Sequence, residues 1–116
     1  MGEEQNALID MEEILEIMDN DTELIQECFN DFMHEYPGMI QSIRETIDTG
    51  DAEGLARHAH KIKGSLRYLA AARAAEVAYQ IELRGKAGRL DGAGPLLDEL
   101  AEICERLKVV MTSYKG

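Results

Sequence analysis

The sequence predicts an all-α protein: an antiparallel, up-down four-helix bundle with a short extra helix at the N-terminus. Apolar residues recur every three or four positions along nearly the whole chain, which is the period of an amphipathic helix. Only two prolines occur in 116 residues, and the apolar stripes are separated by short segments with glycine or helix-capping side chains. Long amphipathic helices with short connections bury their apolar faces as an antiparallel bundle.

The chain is long enough for one domain with one core, so we predict a single domain over residues 1–116. Residues 1–20 form an N-terminal segment and capping helix, and residues 21–116 form the four-helix bundle. The first helix is indicated by four apolar residues and ends near Asn20, and we expect it to cover one end of the bundle. These residues are Met11, Ile14, Leu15 and Met18.

The second helix is capped by Asp21 or Thr22, since both side chains accept hydrogen bonds from a first helical turn. Its stripe keeps phase across Pro37-Gly38, which predicts one kinked helix and not two separate ones. Thr49-Gly50-Asp51 ends this helix and caps the next. The stripe consists of Ile25, Phe29, Phe32, Tyr36, Ile40, Ile43 and Ile47.

Three further helices complete the prediction. The fourth extends from about Ala72 to Lys86, and the fifth follows a glycine-rich turn in which Asp91 is the expected cap and Pro95 lies in the first helical turn. The third helix carries Leu55, Ala59, Ile62, Leu66 and Leu69; the fourth Ala74, Val77, Ala78 and Ile81; the fifth Leu96, Leu100, Ile103, Leu107, Val110 and Tyr114.

The composition excludes several classes of function. A formal net charge of −11 disfavours nonspecific binding to nucleic acid and to anionic membrane surfaces. No apolar run reaches the length of a membrane span, and the acidic start of the chain does not resemble a signal peptide. Cys28 and Cys104 lack metal-type spacing and fall at apolar helical positions, so we predict free thiols in a reducing cytoplasm.

His60 is the leading candidate for a functional residue. With about 100° per residue, it lies about 140° from the centre of the third helix's apolar stripe, facing solvent. Gly64 follows one turn later, where a side chain would otherwise lean back over the ring. Lys63 and Arg67 flank the histidine, and residues 54–75 contain five basic and no acidic side chains. An exposed imidazole with clear access among cations is typical of a phosphate-accepting histidine.

The fourth helix offers a partner for this ring. Glu82 lies on a stripe with Ala75, Tyr79 and Lys86 beside the buried face, and it can accept a hydrogen bond from Nδ1–H of His60, leaving Nε2 free. The alternative is a surface glutamate paired with Lys86 four residues later. We predict no metal site: half-buried His58 and His60 are two residues apart and do not share a helix face.

The segment His60-Lys61-Ile62-Lys63-Gly64-Ser65 resembles the His-x-Leu/Ile-Lys-Gly-Ser signature of histidine-containing phosphotransfer (HPt) domains. The similarity continues through Leu69-Ala70-Ala71, Ile81-Glu82, Gly85-Lys86 and Gly88-Arg89-Leu90. It implies phosphorylation of His60 on Nε2, a phosphoryl-holding role for Lys63, ring access through Gly64 and ring orientation by Glu82. Two positions depart from the family pattern, where a serine and a glycine are common: Leu66 and Ala70.

The resemblance also implies a phosphorelay mechanism. His60 receives a phosphoryl group from an aspartyl phosphate of a receiver domain and passes it to an aspartate of another receiver. The expected partners are receivers of response regulators and of a hybrid sensor kinase. They dock around Lys61, Arg67 and Lys86, and they supply any Mg²⁺. The chain itself has no nucleotide-binding loop, so we expect a monomeric carrier without cofactor, kinase or ATPase activity.

Other functions remain open at this point. An alternative is the phosphotransfer domain of a chemotaxis-type or hybrid histidine kinase, because the motif is very similar. A different class is a helical adaptor that is never phosphorylated. The dimerisation helix of an autophosphorylating kinase is disfavoured, because Lys61 stands where those helices have glutamate and no proline follows shortly after the histidine.

Overall fold

The structure, a computed structural model, describes residues 8–114, and within this range all regular secondary structure is helical. The prediction of an all-α fold is therefore confirmed. The helices are α1 (Met11–Ile17), α2 (Thr22–Thr49), α3 (Ala52–Tyr68), α4 (Ala72–Lys86) and α5 (Ala93–Ser113). The first seven residues of the predicted N-terminal segment lie outside the described residues.

The first three helices begin at aspartates. Asp10, Asp21 and Asp51 each accept a hydrogen bond from the backbone N–H three residues later, at 2.9–3.1 Å. This contact satisfies a donor that has no partner within the helix. Asp21 is thus the cap of α2, and the predicted capping role of Asp51 is confirmed. Gly50, with φ of 74°, ends α2 in the left-handed conformation that glycine adopts without strain.

The predicted cap of the last helix is wrong. α5 begins at Ala93, and the capping position belongs to Gly92, whose φ is 80° and which has no side chain to cap with. The left-handed turn at Gly92 leaves Asp91 one residue too early to reach the first helical turn. Its carboxylate pairs instead with Arg89 at 3.2 Å, and its carbonyl accepts a hydrogen bond from Arg84 at 2.8 Å.

The predicted stripes form the core. α2 continues through Pro37 as one helix, as predicted. All five residues of the predicted third-helix stripe are buried, and the last of them, Leu69, directly follows the end of α3. In α5 the buried face is wider than predicted, because this helix packs against both α2 and α4. Leu97, Cys104 and Met111 are fully buried there, whereas Leu96 and Val110 are only half-buried.

Each long helix contacts two others: α2 contacts α3 and α5, and α4 contacts α3 and α5. Contacts between α2 and α5 join the start of one helix to the end of the other. The rings of Phe29 and Tyr114 meet edge to face with centroids 5.2 Å apart, and Arg44 pairs with Asp98 at 2.7 Å. Within residues 8–114, none of the helices combines the length and apolar character that crossing a bilayer requires.

The corner between α3 and α4 contains Ala70, one of the two departures from the family pattern. Ala70 adopts the left-handed conformation, with φ of 57°, that glycine adopts more easily. Its carbonyl accepts a hydrogen bond from the backbone N–H of Asp10 at 3.0 Å, which ties the start of α1 to this corner. The alanine therefore holds a backbone conformation that costs it some strain and that a glycine would adopt more easily.

α3 and α4 approach each other closely at Gly85. A Cβ atom at this position would lie 2.5 Å from the backbone nitrogen of Ala56 and 2.8 Å from the carbonyl oxygen of Ala52. Neither backbone atom can move without displacing α3. The absence of a side chain at Gly85 therefore sets the spacing that brings the side chains of α4 to those of α3.

We expect Gly85→Ala to lower the free energy of unfolding by about 2 kcal/mol, because the added methyl forces the two helices apart. Gly38→Ala is the matched control: it also lies within a helix, but nothing is within 4 Å of an added Cβ. That control should stabilise the protein by roughly 0.5–1 kcal/mol. Urea denaturation measures both. Equal unfolding midpoints for Gly85→Ala and the unmutated protein would contradict the close approach.

Candidate functional site

His60 lies in the middle of α3 with 67% of its side chain exposed, so the predicted solvent-facing position is confirmed. Gly64 follows one turn later, and a Cβ atom there would have no neighbour within 4 Å. Because helical side chains lean toward the N-terminus, the space left by Gly64 is the space next to the His60 ring. A large reactant can therefore approach the imidazole from solvent.

Glu82 of α4 holds the other side of the ring. Its Oε2 atom lies 2.9 Å from Nδ1 of His60, and its side chain is only 1% exposed. An ionised carboxylate only accepts hydrogen bonds, so Nδ1 is the protonated nitrogen. Nε2 of the neutral ring then carries the free lone pair. This is the contact that the sequence predicts for Glu82; its orienting role stays a prediction.

The same carboxylate also binds two lysines. Lys63 lies 2.6 Å from Oε1, and Lys86 lies 3.1 Å from Oε2. The two alternatives weighed for Glu82, a hydrogen bond to His60 and an ion pair with Lys86, therefore coexist. One buried carboxylate is shared by three nitrogen groups, two from α3 and one from α4.

The expectation that Lys63 flanks His60 at the surface is wrong. Its side chain is only 9% exposed, and its ammonium lies 5.1 Å from the centroid of the Tyr79 ring. A lysine is buried when its charge is paired, and here Glu82 provides the counter-charge. Sequence reasoning placed Tyr79 on the Glu82 stripe and gave it no role; its position three residues before Glu82 is the signal that was available.

The nitrogen groups keep Glu82 ionised. Burial raises the pKa of this carboxyl, but hydrogen bonds from Lys63, Lys86 and His60 outweigh that effect and lower the pKa from 4.5 to about 2. At neutral pH the site therefore contains a permanent negative charge beneath the imidazole. That charge favours the tautomer of His60 with the proton on Nδ1.

Three exposed cations lie on the same helix as His60. Arg57, Lys61 and Arg67 are exposed on α3, and none of them forms an ion pair within residues 8–114. Elsewhere in this range, Arg44, Arg89 and Arg106 are paired with carboxylates. Positive charge is thus left uncompensated near His60 in a chain of net charge −11.

His58 does not join this site. It is half-buried, as predicted, and lines a groove between α2 and α3 with Lys61, Glu35 and Met39. Among residues 8–114, no group of three or more histidine, cysteine, aspartate or glutamate side chains is arranged to hold a metal ion.

The chain thus combines a helical fold with an exposed histidine that is backed by a buried carboxylate. The model of the Hpt domain family matches residues 27–109, and the chain belongs to that family. It is accordingly a histidine phosphotransfer intermediate of a phosphorelay, the class whose members carry phosphoryl groups to and from receiver domains and are not kinases.

A solved structure has the same fold. The crystal structure of histidine-containing phosphotransfer protein B (HptB) from Pseudomonas aeruginosa PAO1 superposes with a TM-score of 0.86 at 17% sequence identity. The alignment covers 93% of this chain and 97% of that chain. No curated protein sequence matches this chain.

We expect Glu82→Gln to lower the free energy of unfolding at pH 7 by about 3 kcal/mol, because it leaves the buried ammonium of Lys63 without a counter-charge. Glu76→Gln, an exposed position on the same helix, is the matched control and should change stability by no more than roughly 0.5 kcal/mol. Chemical denaturation followed by circular dichroism measures both. Similar values for the two variants would show that Glu82 contributes no ion-pair energy.

The effect of Glu82→Gln should depend on pH. Because folding lowers the pKa of Glu82 from 4.5 to about 2, its contribution to stability is complete above pH 4.5 and is lost as the pH falls toward 2. The stability difference between the unmutated protein and Glu82→Gln should therefore shrink over this interval. Denaturation curves at pH 7, 4.5 and 3 measure the difference. A constant difference would contradict the assigned pKa.

Proposed function

We propose that His60 is the phosphoryl acceptor of this Hpt protein. The main support for the proposal is that the two sides of the imidazole have different environments. Nδ1 donates to a buried carboxylate at 2.9 Å, whereas 67% of the side chain is open to solvent. A histidine that must attack with one nitrogen needs the other nitrogen occupied, and this arrangement leaves Nε2 available.

The proposed step is an in-line displacement at phosphorus. Nε2 of neutral His60 forms a bond to the phosphorus of an aspartyl phosphate, while the bond to the aspartyl oxygen breaks and the aspartate leaves as a carboxylate. The positive charge on the phosphorylated ring is stabilised by Glu82 through Nδ1–H. Transfer to an aspartate of a second receiver reverses this sequence of bonds.

The remaining roles follow from position. Gly64 gives access to the ring, and Glu82 orients it. Lys63 contributes a positive charge beneath the site that favours the bound phosphoryl group. Lys61, Arg67 and Lys86 form the rim on which a receiver docks, through the small interface typical of transient complexes.

The partner supplies the catalytic groups. We propose that Mg²⁺ is held by the receiver domain, and that this chain carries phosphate as a monomer with no kinase or ATPase activity and no resident cofactor. The proposed partners are receivers of response regulators and of a hybrid sensor kinase, with no nucleic acid or membrane surface involved. We propose that the protein is located in the cytoplasm, because the thiols of Cys28 and Cys104 are free and receiver phosphorelays operate there.

We also propose the complete helix arrangement. α2 to α5 form an antiparallel up-down bundle, and α1 lies across the end at which α3 meets α4. The contacts that join opposite ends of α2 and α5 support the antiparallel order. The hydrogen bond from the backbone N–H of Asp10 to the carbonyl of Ala70 supports this position of α1.

The proposal is tested by transfer from a receiver domain that has been charged with labelled acetyl phosphate. We expect the label to move from the receiver to this chain, and His60→Gln to abolish the transfer. The side chain of His60 is exposed, so the variant should keep its fold, as its circular dichroism spectrum will show. Labelling of His60→Gln at the normal rate would assign the acceptor elsewhere.

The outcomes also separate the alternatives. Absence of transfer from every receiver of a broad panel would favour the helical adaptor. A different outcome is that a kinase domain phosphorylates this chain directly with ATP, in one direction only. That result would favour the phosphotransfer domain of a chemotaxis-type kinase. Reversible transfer between receivers supports the relay.

Gly64→Ala should separate stability from function. Replacing a helical glycine that has open space around it should raise the free energy of unfolding by roughly 0.5–1 kcal/mol. The added methyl leans toward the His60 ring and should slow phosphotransfer about tenfold, which corresponds to about 1.4 kcal/mol in the barrier. Gly64→Leu should slow it further. Unchanged transfer rates in both variants would remove the access role from Gly64.

A further inference from the structure

The three nitrogen groups on Glu82 are not equivalent. Lys63 occupies Oε1 alone, whereas His60 and Lys86 share Oε2. Lys63 is 9% exposed, while Lys86 is 63% exposed. When a phosphoryl group of roughly two negative charges arrives on His60, the lysines will be drawn toward it to different extents.

Lys63 cannot leave its carboxylate without a large loss. Oε1 of Glu82 is buried and has no partner besides the ammonium of Lys63 in the described part of the chain. A move of Lys63 toward the surface would leave this oxygen unpaired and would also break the contact with the Tyr79 ring at 5.1 Å. An uncompensated buried charge is among the most costly defects in a protein, so Lys63 stays in place.

Lys86 can leave without such a loss. Its contact with Oε2 is longer, at 3.1 Å, and its side chain is largely in water. After it departs, Oε2 still accepts the hydrogen bond from His60 and Glu82 still has the charge of Lys63. Lys86 also lies one turn after Glu82, so its side chain leans back toward the imidazole.

We propose that Lys86, and not Lys63, makes the direct contact with a phosphoryl group on His60, by exchanging its place on Glu82 for the phosphoryl oxygens. The inference rests on the proposed role of His60 as acceptor. It changes the role that the family resemblance implies for Lys63. In this chain Lys63 is the permanent counter-ion of Glu82, and it acts on the phosphoryl group only through its charge.

The other nearby cations are placed less favourably. Arg57 lies one turn before His60, and its side chain leans away from the ring. Arg67 lies seven residues after His60, which is about 10 Å along the helix axis. Lys61 projects about 100° around the helix from His60. Of these exposed cations, Lys86 is the one that already contacts Glu82, the group that touches the imidazole.

Phosphoramidate serves as the probe, because it phosphorylates histidine without a partner protein. Nε2 displaces ammonia from phosphorus, so one P–N bond forms as another breaks. The pKa of the resulting phosphoryl group is read from its ³¹P resonance during a pH titration. A cation in direct contact lowers this pKa, and Lys86→Gln should raise it by about one unit. Lys86→Arg, which keeps the charge, should restore most of the original value.

Arg57→Gln is the matched control, because it removes an exposed cation of the same helix face without a contact to Glu82. We expect it to leave the phosphoryl pKa within about 0.2 units of the original, since the Arg57 side chain leans away from the ring and its charge remains in water. An unchanged pKa in Lys86→Gln, or equal changes in Lys86→Gln and Arg57→Gln, would overturn the assignment to Lys86. Such results would leave His60 as the acceptor.

The ammonium resonance of Lys63 gives a second readout. On phosphorylation, its chemical shift should change little, while that of Lys86 should change clearly. The reverse pattern would return the direct contact to Lys63. Failure of phosphoramidate to label the unmutated protein at His60 would overturn the proposed function itself, and with it this inference.

Discussion

The site depends on one buried negative charge. Glu82 is 1% exposed on the buried side of α4, and an ionised carboxylate in that position is stable only if its charge is paired. Lys63, Lys86 and His60 satisfy this requirement together. The carboxylate of Glu82 therefore fixes the position of the imidazole and favours the tautomer with the proton on Nδ1. It also holds the ammonium of Lys63 beneath the ring. The contacts that stabilise the buried carboxylate are thus the same contacts that orient the imidazole.

Close helix packing makes this pairing possible. Gly85 lets the backbones of α3 and α4 approach, so that the short side chain of Glu82 reaches across to α3. Gly64 differs from Gly85, because the space that its side chain would occupy is open to solvent and not filled by a neighbouring helix. One glycine brings the helices together, and the other leaves open space beside the ring. The same residue type thus allows close packing at one position and leaves the surface open at another.

The distribution of charge complements this geometry. The chain is strongly acidic, yet Arg57, Lys61 and Arg67 remain without ion pairs in the described range and lie on the helix that carries His60. A phosphorylated partner is anionic where the transfer occurs. Under the proposed function, attraction to this face and repulsion from the acidic remainder of the surface would favour the productive orientation of a receiver.

The sequence alone determined the helices, their apolar faces and the outward direction of His60, because these follow from a period of 3.6 residues within one segment. It also indicated the bond between His60 and Glu82, since the stripe of α4 that carries Glu82 borders its buried face. Only the tertiary structure decided that Lys63 is buried, that Tyr79 covers it and that Gly92, not Asp91, precedes α5. Each of these depends on the distance between helices or on the turn of a loop, and a periodic pattern contains no information about either.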